Sequence, residues 1–506
     1  MEKINVDQNN ATLKMERIGL KNVSIAGTKD KTARTYQRIS FSMYRPVTVD
    51  MNQLGININS DLKQLFQHYG GSNSLIIRNL KISTKSIHLG ELYGNRFEII
   101  MRCHQKEQAN GNNNPTNKMI NLLQSRMPFV SSYGFINYYG LQRLGSSNVP
   151  SWWIGRAILK EEYNKAVQYI LSVRLKEGDD VVQAKMSLNT SVKECLKLMP
   201  SRMTLEILLL QNLKRYGWES SSSSSSSTTS STTSPPPPPS SSTAAAASHE
   251  DPHDAKERLK RNLLAKRSLL SLPRNALSMW VRSYQSYLWN LMVCERIIYE
   301  RNVNSGTTTV INNSITSNAN NNINCILFPK KGDYLHVSSN ISLIEQCKNM
   351  TLVQSNQHHQ HQQNRRNYIV IPLLGSITNH YIKSSELLML LLNSINNKYL
   401  HEENVDDIML LFEQQNQCCR TKGGLRYVIC QPTNIRMPTI VMKRNQQERK
   451  DNATANQMEV EKNDAIKDAN SINQPSNAIR IGFDLSSGSY ATCCLRSMTG
   501  RNDVLF

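Results

Sequence analysis

The stretch Gly27-Thr28-Lys29-Asp30-Lys31-Thr32-Ala33-Arg34-Thr35-Tyr36-Gln37 constrains the chain more than any other. The apolar run Val23-Ser24-Ile25-Ala26 leads into it, and the alternating run Ile39-Ser40-Phe41-Ser42-Met43 leads out. That pattern predicts a strand, a tight turn that Gly27 permits, a short charged connection and a second strand. Within the connection one carboxylate, Asp30, stands among Lys29, Lys31 and Arg34. Nearby positive charge favours the ionised form of an acid even where water is partly excluded. Such a turn suits a site where a carboxylate acts beside a phosphate backbone. It equally describes a hairpin turn with solvated charges, since charged turns are common.

Charge favours the first reading. Lysine and arginine number 60 against 39 acids, a net charge of +21 over 506 residues. An excess of that size points to a polyanionic partner. Nucleic acid fits better than a membrane surface, because no basic amphipathic helix dominates. The longest greasy run, Leu387 to Leu392, is far too short to cross a bilayer, so no membrane is expected. The start Met1-Glu2-Lys3-Ile4-Asn5 is not an apolar signal segment. The ten cysteines contain no Cys-x-x-Cys, and Cys418-Cys419 and Cys493-Cys494 are adjacent pairs. Reduced thiols in an intracellular protein and no metal site are the expectation. His358, His359 and His361 sit in a Gln-rich tract that reads as a solvated loop.

Periodicity assigns the remainder to both helix and strand. Phe97, Ile99 and Met101 alternate with more polar neighbours, as do Ile479, Ile481 and Phe483, which predicts half-buried strands near both ends. Ile158, Leu159, Tyr163, Val167, Ile170 and Leu171 fall on one helical face, and Trp280, Tyr284, Tyr287, Leu288, Leu291 and Ile298 on another. Both faces read as core. Arg274-Asn275 after Pro273 reads as a helix start. The Ser/Thr/Pro/Ala tract within 219–249 and the Asn/Gln-rich tracts 302–324 and 354–367 carry too little apolar surface to offset their ordering entropy, and disorder is expected there.

Five segments in order carry a family resemblance. Gly27-x-Lys29-Asp30-x-x-Ala33-x-Thr35-x-Gln37 resembles the catalytic motif of the TruD family of pseudouridine synthases. Gly94-Asn95-Arg96-Phe97 and Gly134-Phe135-Ile136-Asn137-Tyr138-Tyr139-Gly140-Leu141-Gln142-Arg143 follow. Then come Leu272-Pro273-Arg274-Asn275 with Tyr284-Gln285-Ser286-Tyr287-Leu288-Trp289-Asn290, and Phe483-Asp484-Leu485 with Ser489-Tyr490-Ala491-Thr492. The long middle motifs and the inserted tracts resemble the eukaryotic branch.

The resemblance implies an α+β protein: a catalytic domain with a mixed or antiparallel sheet, split by a mostly helical insertion. Residues 1–145 would supply the first part of the catalytic domain, 146–420 the insertion with its disordered tracts, and 421–506 the return, beginning near Gly424-Leu425-Arg426-Tyr427-Val428. It also implies isomerisation of uridine to pseudouridine in tRNA, and further in mRNA or small nuclear RNA, by a monomer with no cofactor in the nucleus or, alternatively, the cytoplasm. Asp30 would be the catalytic carboxylate, acting as nucleophile or as base. Phe97 would hold the flipped uracil, with Asn95 beside it and Lys29 next to the acid. Arg143 either contacts phosphate or organises a structural junction where the insertion leaves the sheet.

Two departures bear on activity. The family carries a further N-terminal segment before the Asp motif, whereas here only about twenty residues precede it, which suggests an incomplete gene model or a shortened form. Ser486 and Ser487 stand where the family places Pro after Leu485. The alternatives are a catalytically inactive RNA-binding relative acting as a chaperone, and a basic scaffold, against which five ordered motifs speak.

Overall fold

Alternating sequence becomes antiparallel pairing at both ends of the chain, and the middle winds into helices. The computed structural model describes residues 1–17, 20–43, 75–77, 83–88, 90–102, 115–175, 177–218, 252–304, 327, 329–336, 343–354, 368–402, 404–413, 421–441 and 478–500. Two units emerge, Met1–Arg96 with Ser486–Gly488 and Phe97–Leu485 with Ser489–Phe506.

In the first unit, β1 (Glu2–Ile4) leads through Asp7 into α1 (Gln8–Arg17). The Asp7 carboxylate accepts from the Asn10 backbone N–H at 2.9 Å, as an N-cap should. Then follow β2 (Leu20–Ile25), β3 (Arg34–Tyr36), β4 (Ile39–Met43), β5 (Leu75–Ile76) and the start of β6 (Gly94–Arg102). β1 lies between β3 and β5, with Lys3 opposite both Thr35 and Leu75. β2 pairs with β4, Ile25 opposite Ile39. Ala11, Met15, Leu20, Leu75 and Ile77 form the core.

The two strands expected around the Asp30 connection therefore form and pair. The connection itself differs from the expectation. Arg34–Tyr36 is a strand rather than loop, because β1 offers it a partner in a separate sheet. Gly27 does not adopt a positive φ, and a Cβ there would meet no atom within 4 Å. The bend does not need its glycine for backbone reasons.

The second unit opens with the rest of β6, whose side chains alternate half-buried and exposed as expected. α2 (Pro115–Tyr133), β7 (Phe135–Ile136), α3 (Leu141–Leu144), α4 (Ser151–Leu159), α5 (Tyr163–Leu171), α6 (Asp179–Met186), α7 (Val192–Leu198) and α8 (Thr204–Arg215) follow. Next are α9 (Pro252–Leu270), α10 (Arg274–Asn304), β8 (Tyr334–Leu335), α11 (Leu343–Lys348), β9 (Thr351–Leu352) and β10 (Ile369–Leu373). The chain ends through α12 (Asn379–Lys383), α13 (Glu386–Ile395), α14 (Val405–Glu413), β11 (Gly424–Tyr427), β12 (Ile429–Cys430), β13 (Thr433–Val441), β14 (Ala478–Ser486) and α15 (Ala491–Thr499).

The protein is α+β. Instead of one sheet, the described residues form five small ones, including β11-β10-β8-β9 and β13-β14-β6. The face from Ile158 to Leu171 is buried throughout, but it belongs to two helices, α4 and α5. Glu161 sits between them at φ 58°, a left-handed turn that ends helical propagation. Asn302–Asn304 complete α10, so that end of the expected Asn-rich tract is helical. Residues 219–249, most of 302–324 and 355–367, the His tract included, lie outside the described residues. Cys195, Cys294, Cys347, Cys430, Cys493 and Cys494 are free thiols. Among the described residues no helix is long and apolar enough to cross a membrane.

α10 organises this unit. Leu277, Val281, Tyr284, Leu288 and Trp289 join the largest core cluster. On its last turns the buried Arg296 guanidinium donates to Asp333 at 3.0 and 2.7 Å and to Glu300 at 2.9 Å. Burial of a cation is tolerated because every exposed lobe of charge meets an acid. α4 crosses α10 at Gly155, where a Cβ would sit 2.1 Å from the Trp280 carbonyl oxygen. Gly155→Ala is expected to lower stability by about 1–3 kcal/mol or more, since backbone cannot yield as a side chain does. Urea unfolding checks this; an unchanged midpoint would show that the crossing has slack.

Candidate active site

A buried ammonium shapes the Asp30 loop. Lys3 is wholly buried in the central strand β1. Its Nζ donates to the carbonyls of Val6 at 2.8 Å, Lys29 at 3.2 Å and Asp30 at 2.6 Å. Burial lowers the Lys3 ammonium from its ordinary range, and the Asp30 and Asp7 carboxylates oppose that shift. Three carbonyl acceptors supply what water otherwise would. The backbone of Asp30 is thus held from below while its side chain is exposed.

The other edge of the loop is held by side chains. Lys29 Nζ donates to Asn95 Oδ1 at the start of β6. Burial lowers the Lys29 ammonium too, and Asp30 pulls it back. Gly90 N–H donates to the Ala26 carbonyl at 2.8 Å, and Ser24 Oγ to that of Ile87. An exposed carboxylate on a braced loop, within the field of two ammoniums, can act on a polyanion: the cations offset repulsion that would otherwise keep phosphate away.

The structure brings Lys29 and Asn95 together with Asp30 adjacent in sequence. Phe97 lies two residues beyond Asn95 on β6 and is counted with the second unit. Its half-buried ring packs on Phe483 at a centroid distance of 5.9 Å. Its carbonyl accepts from Arg436 at 3.2 Å.

The second unit gathers the middle and last motifs. Arg426 donates to the Asn137 carbonyl from Nε at 2.9 Å and from the terminal nitrogen at 2.7 Å, and to Asn137 Oδ1 at 2.9 Å. Its guanidinium carbon lies 4.0 Å from the Tyr139 ring centroid, 5.2 Å from that of Trp289 and 5.8 Å from that of Tyr490. Gly140 leaves room for Tyr490, whose ring would be 3.2 Å from a Cβ there. Arg143 stands on α3, and its buried Nε has no hydrogen-bond partner among the described residues. Burial raises the Tyr490 phenol, and the positive charges of Arg143 and Arg426 oppose that.

Lys3 and Arg426 are the two organising cations that sequence did not single out. A lysine in an alternating strand looks like a solvated charge, and Arg426 is one residue of a short run, Gly424–Val428. Only their burial distinguishes them.

A family model described as TruD, tRNA pseudouridine synthase D, matches residues 1–234 and 255–498, and the chain belongs to that family. Multisubstrate pseudouridine synthase 7 of Schizosaccharomyces pombe is 26% identical over 334 residues, 64% of this chain and 39% of that protein. The pseudouridylate synthase 7 homolog of Homo sapiens is 26% identical over 58% of this chain and 34% of its own length. A probable tRNA pseudouridine synthase D of Methanosarcina barkeri is 26% identical over 56% of this chain and 50% of its own. The chain thus spans half or less of the length of these relatives. The crystal structure of a putative tRNA pseudouridine synthase D from Methanosarcina mazei aligns over 99% of this chain and 87% of its own, at 19% identity and a TM-score of 0.47.

Lys3→Met keeps the volume of the buried side chain and removes its donors. Stability is expected to fall by about 1–3 kcal/mol, the cost of leaving buried acceptors unpaired. Urea unfolding measures it, and a parental value would mean that the Asp30 loop does not depend on the ammonium.

Proposed function

We propose that the chain is an RNA pseudouridine synthase acting on uridine in tRNA, with Asp30 as its catalytic carboxylate. The observation that carries this is the exposed acid on a loop braced by Lys3 and by the Lys29–Asn95 hydrogen bond. Family membership supplies the reaction class.

The reaction breaks the bond between ribose C1′ and uracil N1. The base turns, C5 bonds to C1′, and the C5 hydrogen leaves as a proton while N1 gains one. Atoms and electrons balance within the nucleotide, so neither redox partner nor group donor is required. One carboxylate serves in either of two ways, by adding to the nucleotide or by removing a proton from the sugar. The target base must leave its stack, and an aromatic ring can hold it. Phe97 is assigned that ring. Arg143, with its unpartnered Nε, is assigned to phosphate or to ordering the second-unit cluster. The antiparallel pair β7–β12, Ile136 opposite Ile429, supports residues 146–420 as an insertion that leaves and returns at one place. A monomer acting in the nucleus, on mRNA or small nuclear RNA as well as tRNA, completes the reading.

Asp30→Asn removes a charge and keeps the shape. Tritium release from C5-labelled uridine in tRNA is expected to stop while tRNA affinity stays near parental; parental release would sink the assignment. Phe97→Ala is expected to slow single-turnover release by about 5- to 150-fold, the equivalent of roughly 1–3 kcal/mol of stacking. A parental rate would reduce Phe97 to the core packing it makes with Phe483.

A further inference from the structure

We propose that a basic groove in the first unit, lined by α1 and Lys31, binds the sugar-phosphate backbone of the RNA beside the target uridine. The inference rests on the RNA substrate proposed above and assigns it a second contact.

The groove, of about 240 Å³, is open and lined by Asn5, Val6, Asp7, Asn10, Leu13, Lys14, Arg17 and Lys31. Asn10, Lys14 and Arg17 recur at helical spacing, so α1 presents them on one side. Three cations face one acid. That acid, Asp7, is engaged in capping α1, accepting from both the backbone and the side-chain nitrogen of Asn10 at 2.9 and 2.5 Å. The Asn10 backbone N–H holds the Asp7 carboxyl below its ordinary range, with Lys31 adding to the effect, so the carboxylate stays ionised and is turned to the helix start. The groove keeps a surplus of positive charge. Leu13, half exposed at its wall, offers apolar area suited to a ribose face.

Continuity with Asp30 selects RNA over a free anion. Lys31 follows Asp30 directly. The Lys3 ammonium that bonds the Asp30 carbonyl also bonds the carbonyl of Val6 in the groove wall. Groove and acid are therefore within reach of one ammonium. A strand whose uridine meets Asp30 must carry its neighbouring phosphates across this surface, and phosphate contacts set register without reading sequence.

The test is the salt dependence of binding to a labelled tRNA transcript. The double variant Lys14→Ala, Arg17→Ala is expected to flatten the slope of log K against log salt by about 1.4, near 0.7 for each lost phosphate contact. The exchange Lys14→Arg, Arg17→Lys should keep the parental slope. Lys193→Ala, Lys197→Ala on α7 removes the same charge elsewhere and should also leave it unchanged. A parental slope in the first variant overturns the groove, as does an equal loss in the α7 control or failure of the parent to bind. Tritium release is read separately, so loss of the groove with catalysis intact, or the reverse, tells the two proposals apart.

Discussion

The second unit turns on the burial of one guanidinium. Arg426 bonds the main chain and side chain of Asn137, and it stacks over Tyr139 with Trp289 and Tyr490 nearby. Arginine suits this position because its flat cation donates in the plane and meets aromatic faces above it. The contact joins residues almost three hundred positions apart, where β7 and β12 pair. Helices α4 to α14 can be long, various and interrupted by inserted tracts, provided both ends return to this junction. The second core, built from α2, β14 and α15, is then free to form from segments remote in sequence.

A comparable device acts on a smaller scale in the first unit. Lys3 is central to the three-stranded sheet and yet spends its charge on the loop beneath. A buried ammonium is costly unless every proton has an acceptor. Here two of the three acceptors are carbonyls of the Asp30 loop, so sheet formation and loop position are coupled. The same ammonium bonds the Val6 carbonyl in the turn that precedes α1, so the start of α1 and the Asp30 loop share one brace.

The strands at β4, β6 and β14 were legible because alternation of period two survives any tertiary context that buries one face. The start of α10 was legible from Pro273-Arg274, and its core face from the aromatic spacing. Three local readings failed. The break at Glu161 leaves no mark in hydrophobic spacing, since the apolar face continues through it. The strand Arg34–Tyr36 is too short to show a period, and its partner β1 lies at the start of the chain. Gly27 looked like a turn residue, yet the bend leaves its φ ordinary.

The sequence by itself determined the residue types of the motifs and their order: Asp30 among cations, Asn95 before Phe97, and Tyr490 after Leu485. These are properties of short segments, and short segments carry them whole. Tertiary structure alone decided that Lys29 meets Asn95, that Lys3 holds the Asp30 carbonyl, and that Arg426 closes the neck on Asn137. Lys3 and Arg426 would be solvated on isolated strands and are instead enclosed, and Lys29 is half enclosed on its loop. Enclosure depends on which distant segments pack around it, and no local pattern of residues records that.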